Sequence, residues 1–160
     1  MAQKFFVYLE IQMNTTPLHL LLSDDDLDDC TFFKEAVAES PVKAKITTVN
    51  DGVELMELLL KKDQTLPHAL YLDLNLPRKN GFDCLTEIKQ NEKLRQIPVI
   101  IFSTSFDTEV VNLLYERGAN YYIRKPADFS HLKKVISKSI ELISQSPTAQ
   151  VPKDKFVLTA

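Results

Sequence analysis

The sequence predicts an α/β fold, a doubly wound parallel sheet of five strands with helices on both faces. Three observations lead there. Short apolar runs alternate with amphipathic helical stripes five times along the 160 residues, the pattern from which parallel sheets are built. One of the runs, IPVIIF at 97–102, is apolar throughout, as in a central strand covered on both faces. Three runs end on charged chemistry: LHLLLS on Asp24-Asp25-Asp26, ALYL on Asp73, and NYYIR on Lys125-Pro126. In an alternating β/α chain those ends lie along one sheet edge, where open α/β folds place their sites.

Each element follows from local pattern. Residues 18–23 are apolar, too short for a helix and bounded by acids, hence a first strand. Leu27, Cys30, Phe33 and Val37 stripe a first helix that closes at Ser40-Pro41. Lys43 to Val49 alternates and is β-branched, a second strand. Asn50-Asp51-Gly52 turns the chain into a second helix marked by Val53, Met56, Leu59 and Leu60. Ala69–Leu72 is the third strand, and Phe82, Leu85 and Ile88 stripe the third helix. After the IPVIIF strand, Val110, Val111 and Leu114 line a fourth helix ended by Gly118. Tyr121–Ile123 is a short fifth strand, and Phe129, Leu132, Val135, Ile136, Ile140 and Ile143 face the core from the last helix.

These elements fill one domain, 17–144. Residues 1–16 are an N-terminal extension, either a non-native leader (Met13 is a second plausible start) or a docking arm. Residues 145–160 read as a loose tail. A hydrophobic content of 44% is ample for a core. The net charge of −3, from 19 basic and 22 acidic residues, includes no basic block, which argues against direct nucleic-acid binding. No apolar run is long enough to span a bilayer. Cys30 and Cys84 form no C-x-x-C pair and read as reduced, largely buried thiols, consistent with a cytoplasmic protein.

The charged strand ends carry the chemistry. Any one aspartate among Asp24, Asp25 and Asp26 is explained simply as a helix cap. Three in succession repel one another more than one cap returns, and Asp73 alongside makes the case for a hard cation such as Mg²⁺. Asp73 beside a cation can act as a nucleophile that accepts a phosphoryl group as an acyl phosphate. Lys125 can reach over the same edge toward Asp73, and Pro126 after it suggests a fixed, cis-capable peptide bond. Ser103, first past the fourth strand, is best placed to donate to a phosphoryl oxygen, whereas Thr104 and Ser105 fit a capping role. His19, His68 and His131 are scattered, and no Gly-rich phosphate loop exists, so triad hydrolysis and nucleotide binding lack support.

Taken together, LLLSDDDLDD, ALYLDLNLPRKNGFDCL, IPVIIFSTS and GANYYIRKPADF resemble the signature blocks of the response-regulator receiver domain of two-component signalling, over about residues 17–144. The resemblance implies a flavodoxin-like receiver fold and a role for each matched position. Asp73 matches the phosphoacceptor, loaded by a sensor histidine kinase or phosphotransfer protein. Asp24 and Asp25 match the acidic pair that holds Mg²⁺ (or Mn²⁺), with Asp73 and the Asn75 backbone carbonyl completing the protein ligands. Ser103 matches the switch hydroxyl, Lys125 the phosphoryl-pairing lysine, and Tyr122 the aromatic that swings inward when the hydroxyl moves.

The departures are modest. Ser23 replaces a usual aliphatic residue, Asn80 a common aspartate, and Ser103 the more frequent threonine. Thr104 is larger than the usual neighbour and is expected to alter phosphorylation rate or lifetime without abolishing either. The expected protein is a stand-alone regulator, a phosphoprotein rather than an enzyme, whose output passes to a downstream protein partner. Homodimerisation through the face of the fourth helix, fifth strand and fifth helix is a second outlet. Two rivals are an interaction module working without phosphorylation and an aspartyl-nucleophile phosphatase. The latter ranks behind because Asn75 stands where its general-acid aspartate belongs.

Overall fold

A computed structural model describes residues 16–145 and 150–160. The N-terminal extension therefore lies almost wholly outside the described residues. Six parallel strands form one sheet in the order β2-β1-β3-β4-β5-β6. The strands are β1 (Leu18–Ser23), β2 (Ala44–Val49), β3 (Ala69–Leu72), β4 (Val99–Ser103), β5 (Tyr121–Arg124) and β6 (Val157–Leu158). The helices are α1 (Leu27–Ala38), α2 (Gly52–Leu60), α3 (Gly81–Gln90), α4 (Thr108–Glu116) and α5 (Phe129–Gln145). The expected five strands and five helices are all present, and the sheet matches the doubly wound receiver architecture with one short strand added.

Strand alternation divides the core into two layers. Leu20, Leu22, Tyr71, Ile100, Phe102 and Ile123 pack with α1 and α5 on one face. Leu21, Leu70, Leu72, Val99, Ile101 and Tyr122 pack with α2, α3 and α4 on the other. Within the first layer the Tyr71 hydroxyl and Ser139 Oγ share a hydrogen bond of 2.6 Å, so this buried phenol is not left unpaired.

Two differences from expectation have local causes. The fourth strand begins at Val99 rather than Ile97 because Ile97 donates to Leu94 O in a turn and Pro98 has no N–H for the ladder. The loose tail of the sequence reading is a short 3₁₀ turn at Lys153–Lys155 followed by β6, whose Phe156 and Leu158 are buried. His19 and His68, expected to be scattered, meet instead: the His19 N–H donates to His68 Nδ1 at 2.8 Å. They lie where β1 and β3 begin, at the opposite end of the strands from the charged cluster.

The order β2-β1-β3 reverses direction at β1, so α1 and α2 leave for opposite faces and a crevice opens beyond the C-terminal ends of β1 and β3. Asp24 and Asp73 follow those two ends directly. The loop after β3 is drawn against the neighbouring chain by two glycines. A Cβ on Gly81 would lie 2.1 Å from the Asp73 carbonyl oxygen, and one on Gly52 would lie 1.9 Å from Lys79 O. Neither approach tolerates a side chain.

Candidate functional site

The three successive aspartates after β1 separate into different environments. Asp24 is completely buried, and its Oδ1 accepts the Asp26 N–H at 3.0 Å. Asp25 is exposed. Asp26 caps α1, its Oδ1 accepting the Asp29 N–H at 3.0 Å. The triplet thus divides its residues: Asp26 caps the helix, while Asp24 and Asp25 gather with Asp73.

Asp73 stands beside Asp24 because its N–H donates to Ser23 O, continuing the β1–β3 ladder past its last register pair. Its Oδ1 accepts the Asn75 N–H at 3.2 Å, and the residue is 6% exposed. Carboxylate oxygens of Asp24, Asp25 and Asp73 lie within 4.8 Å of one another. The sheet therefore gathers all three predicted acidic ligands, with exposed Asn75 two residues beyond Asp73 at the rim.

Lys125 enters from the end of β5, fixed by its own N–H on Ser103 O at 2.7 Å. Its ammonium donates to Asp24 Oδ2 at 2.8 Å, Asp73 Oδ2 at 2.9 Å and Asp29 Oδ2 at 2.9 Å. Its stem passes the Phe102 ring, with the ammonium 5.2 Å from the centroid. Burial opposes the charge on Lys125, but hydrogen bonds to Asp24, Asp29 and Asp73 outweigh it and hold the group above its ordinary value. Burial moves Asp24 the other way, raising its carboxyl, against the opposing pull of Lys125 and the Asp26 N–H. Three carboxylates share the protons of the charged Lys125 ammonium.

Asp29 is the residue that sequence reasoning missed. It was legible in principle: it lies four residues before the buried Phe33, so the two share the α1 face turned toward the sheet. An acid in a first helical turn is commonly a dipole partner, and that explanation concealed it.

The hydroxyl and the aromatic also come together. Ser103 is buried, and its Oγ accepts the Ser105 N–H at 3.2 Å. Tyr122 is 1% exposed, with its ring edge-on to Phe106 and its hydroxyl donating to Ser105 O. The ring expected to swing inward already lies inside. Burial raises the Tyr122 phenol, against a hydrogen bond with Ser103. Thr104 is exposed, and Pro126 is half-buried. All described peptide bonds are trans, so the cis-capable Lys125–Pro126 bond is trans. A groove of about 760 Å³ lies beside the cluster rather than over it, lined in part by Thr104, Phe106, Lys125, Pro126, His131 and Leu158.

The donor set is all oxygen; Asp24, Asp29 and Asp73 pair with a single ammonium, and Asp25 adds a further carboxylate beside Asp24 and Asp73. That chemistry fits a hard divalent cation and not a soft one. No described helix is long and apolar enough to cross a membrane.

The chain is similar to known proteins over most of its length. The sequence over residues 20–137 matches the response regulator receiver domain. Response regulator Rcp1 of Synechocystis sp. is 32% identical over 124 residues, covering 75% of this chain and 84% of that protein. The two-component response regulator ORR3 of Oryza sativa is 29% identical over 122 residues, covering 76% and 90%. Among solved structures, the phosphorylated cyanobacterial phytochrome response regulator RcpA superposes with a TM-score of 0.73 at 35% identity, covering 86% of this chain and 99% of that one. The Mn²⁺-bound form of Rcp1 gives 0.69 at 30% identity, covering 85% and 98%. A match across most of the sequence, on a fold shared nearly end to end with solved response regulators, makes this chain a member of the receiver domain family of two-component signalling.

Proposed function

We propose that this receiver accepts a phosphoryl group on Asp73 and converts it into a changed partner-binding surface. The observation that carries the reading is the convergence of Asp24, Asp25, Asp73 and Lys125 at the switch point of the sheet. Asp73 Oδ attacks phosphorus, an O–P bond forms, and the bond from phosphorus to the donor histidine nitrogen breaks. The freed imidazole leaves with its electron pair and takes its proton from solvent. Asp24, Asp25, Asp73 and the Asn75 backbone carbonyl would hold a divalent cation, Mg²⁺ or Mn²⁺, which would supply positive charge to offset that of the phosphoryl oxygens. Lys125 supplies the second positive charge.

The new group adds a charge of about −1.5 to −2, taking phosphoserine as the guide. Lys125 and the Ser103 hydroxyl then turn to its oxygens, drawing the loop after β4 toward Asp73. Tyr122 is hydrogen-bonded to that loop at Ser105 O, so its inward position and the loop position are one state. The phosphoryl group favours that state by binding it more tightly, a population shift. The outlet is the α4–β5–α5 face, read by a downstream protein or by a second copy of the chain.

The donor is a sensor histidine kinase or a phosphotransfer protein. Relatives of known structure are a phytochrome response regulator, a regulator in red light signalling and a bacteriophytochrome response regulator. A phytochrome-type kinase is therefore the donor class to try first.

The test is intact mass after incubation with acetyl phosphate, with and without Mg²⁺, on wild type and Asp73→Asn. The expected result is a labile gain of one phosphoryl group that needs the metal and disappears in the variant. An equal gain in Asp73→Asn would refute the assignment.

A further inference from the structure

Lys125 has three N–H donors, and each is spent on a different carboxylate. Two of these, Asp24 and Asp73, belong to the cation cluster. The third, Asp29, does not. It sits in the first turn of α1 with its backbone N–H fixed by Asp26 Oδ1 at 3.0 Å, which sets the position of its carboxylate. Its side chain is 32% exposed, against 8% for Lys125, so it forms the outer wall of the ion-pair cluster.

A cation entering between Asp24, Asp25 and Asp73 competes with the ammonium for two of the same carboxylates. An ammonium without another partner would either keep those oxygens or be expelled to solvent. Asp29 offers a third course. Resting on the phosphoacceptor reading above, we propose that Asp29 is a positioning residue: it retains the Lys125 ammonium at the edge of the site while Asp24 and Asp73 turn to the cation and the phosphoryl group. The lysine then stays within reach of the incoming oxygens without contesting the metal.

The nearby charge of Asp29 would also attract a cation by itself, and Asp28 supplies the control. It carries the same charge in the same helical turn, is exposed, and makes no ion pair with Lys125. Mg²⁺ affinity is to be measured by titration calorimetry on wild type, Asp29→Asn, Asp29→Glu and Asp28→Asn. Loss of Asp29 should weaken Mg²⁺ binding by about tenfold, the low end for groups that orient metal ligands. Asp28→Asn should change it by no more than about twofold, as expected for a screened surface charge. Asp29→Glu, which keeps the charge with a longer reach, should recover most of the affinity. If Asp29→Asn binds Mg²⁺ as well as Asp28→Asn does, the positioning role is wrong while the parent reading stands. A wild type that binds no Mg²⁺ would overturn both.

Discussion

Ser23 ends β1 with a fully buried hydroxyl that makes no hydrogen bond among the described residues. Alternation along β1 turns it to the face of Leu21, away from Asp24 on the opposite face, so it does not serve the acidic cluster. A buried hydroxyl without a partner costs stability that an apolar atom would not. Ser23→Ala should therefore raise unfolding stability in urea by about 1 kcal/mol. A loss of stability would show that the hydroxyl is satisfied after all. Its neighbours show how far single residues could be read in advance. Asp24, Asp25, Asp73 and Lys125 were visible because each ends a strand-like run, and strand ends share an edge. Asp29 was not, because it contacts Lys125 across 96 residues of sequence and has an ordinary local explanation.

At the level of elements, Gly118 marked a helix end in the sequence, whereas the caps at three helix starts emerge from the structure. Asp51, Asn80 and Asp107 each accept an N–H of the following helix, and Gly118 takes the left-handed conformation after α4 at φ 96°. Asn80 keeps the capping role that the more common aspartate would fill. What pattern did not reveal is the work of Lys89 on α3. Its ammonium crosses to Ile97 O at 2.9 Å, Arg95 O at 3.2 Å and Asn120 Oδ1 at 3.4 Å, tying α3 to the segments before β4 and β5. Among the described residues no carboxylate joins this group, and burial pushes the ammonium down from 10.5 to about 8. Between those values the unfolded chain holds more protons than the folded one, so stability due to this residue rises with pH. Urea unfolding of wild type minus Lys89→Met should show that difference growing from pH 8 to pH 10.5. A flat difference would contradict the burial of an uncompensated charge.

The molecule as a whole is closed by a strand with no sequence signature. Two residues, Val157 and Leu158, are too few to show a period, and the apolar content of the tail is sparse. Tertiary contacts supply what local pattern lacks. The Tyr122 N–H donates to Phe156 O, Tyr115 Oη donates to Val151 O, and Gln150 reaches Tyr115 O and Ala119 O. Phe156 is buried edge-on against Tyr115, 5.1 Å between centroids, and lies 6.4 Å from Tyr122. The terminal strand thus covers the β5 edge and touches the aromatic of the proposed switch. Phe156→Ala should cost about 3 kcal/mol in urea unfolding, as for other buried aromatics. A cost below about 1 kcal/mol would mean that the strand is only loosely docked.

The proposed phosphorylation of Asp73 is one covalent event at one side chain, and it can be read directly. The protein would be treated with acetyl phosphate and Mg²⁺, reduced with borohydride, digested and sequenced by mass spectrometry. Reduction turns an aspartyl phosphate into homoserine and leaves free aspartates untouched. Homoserine at position 73, with Asp24, Asp25 and Asp29 intact, is the expected result. Homoserine at any of those three and not at 73 would contradict the assignment of Asp73 as the acceptor.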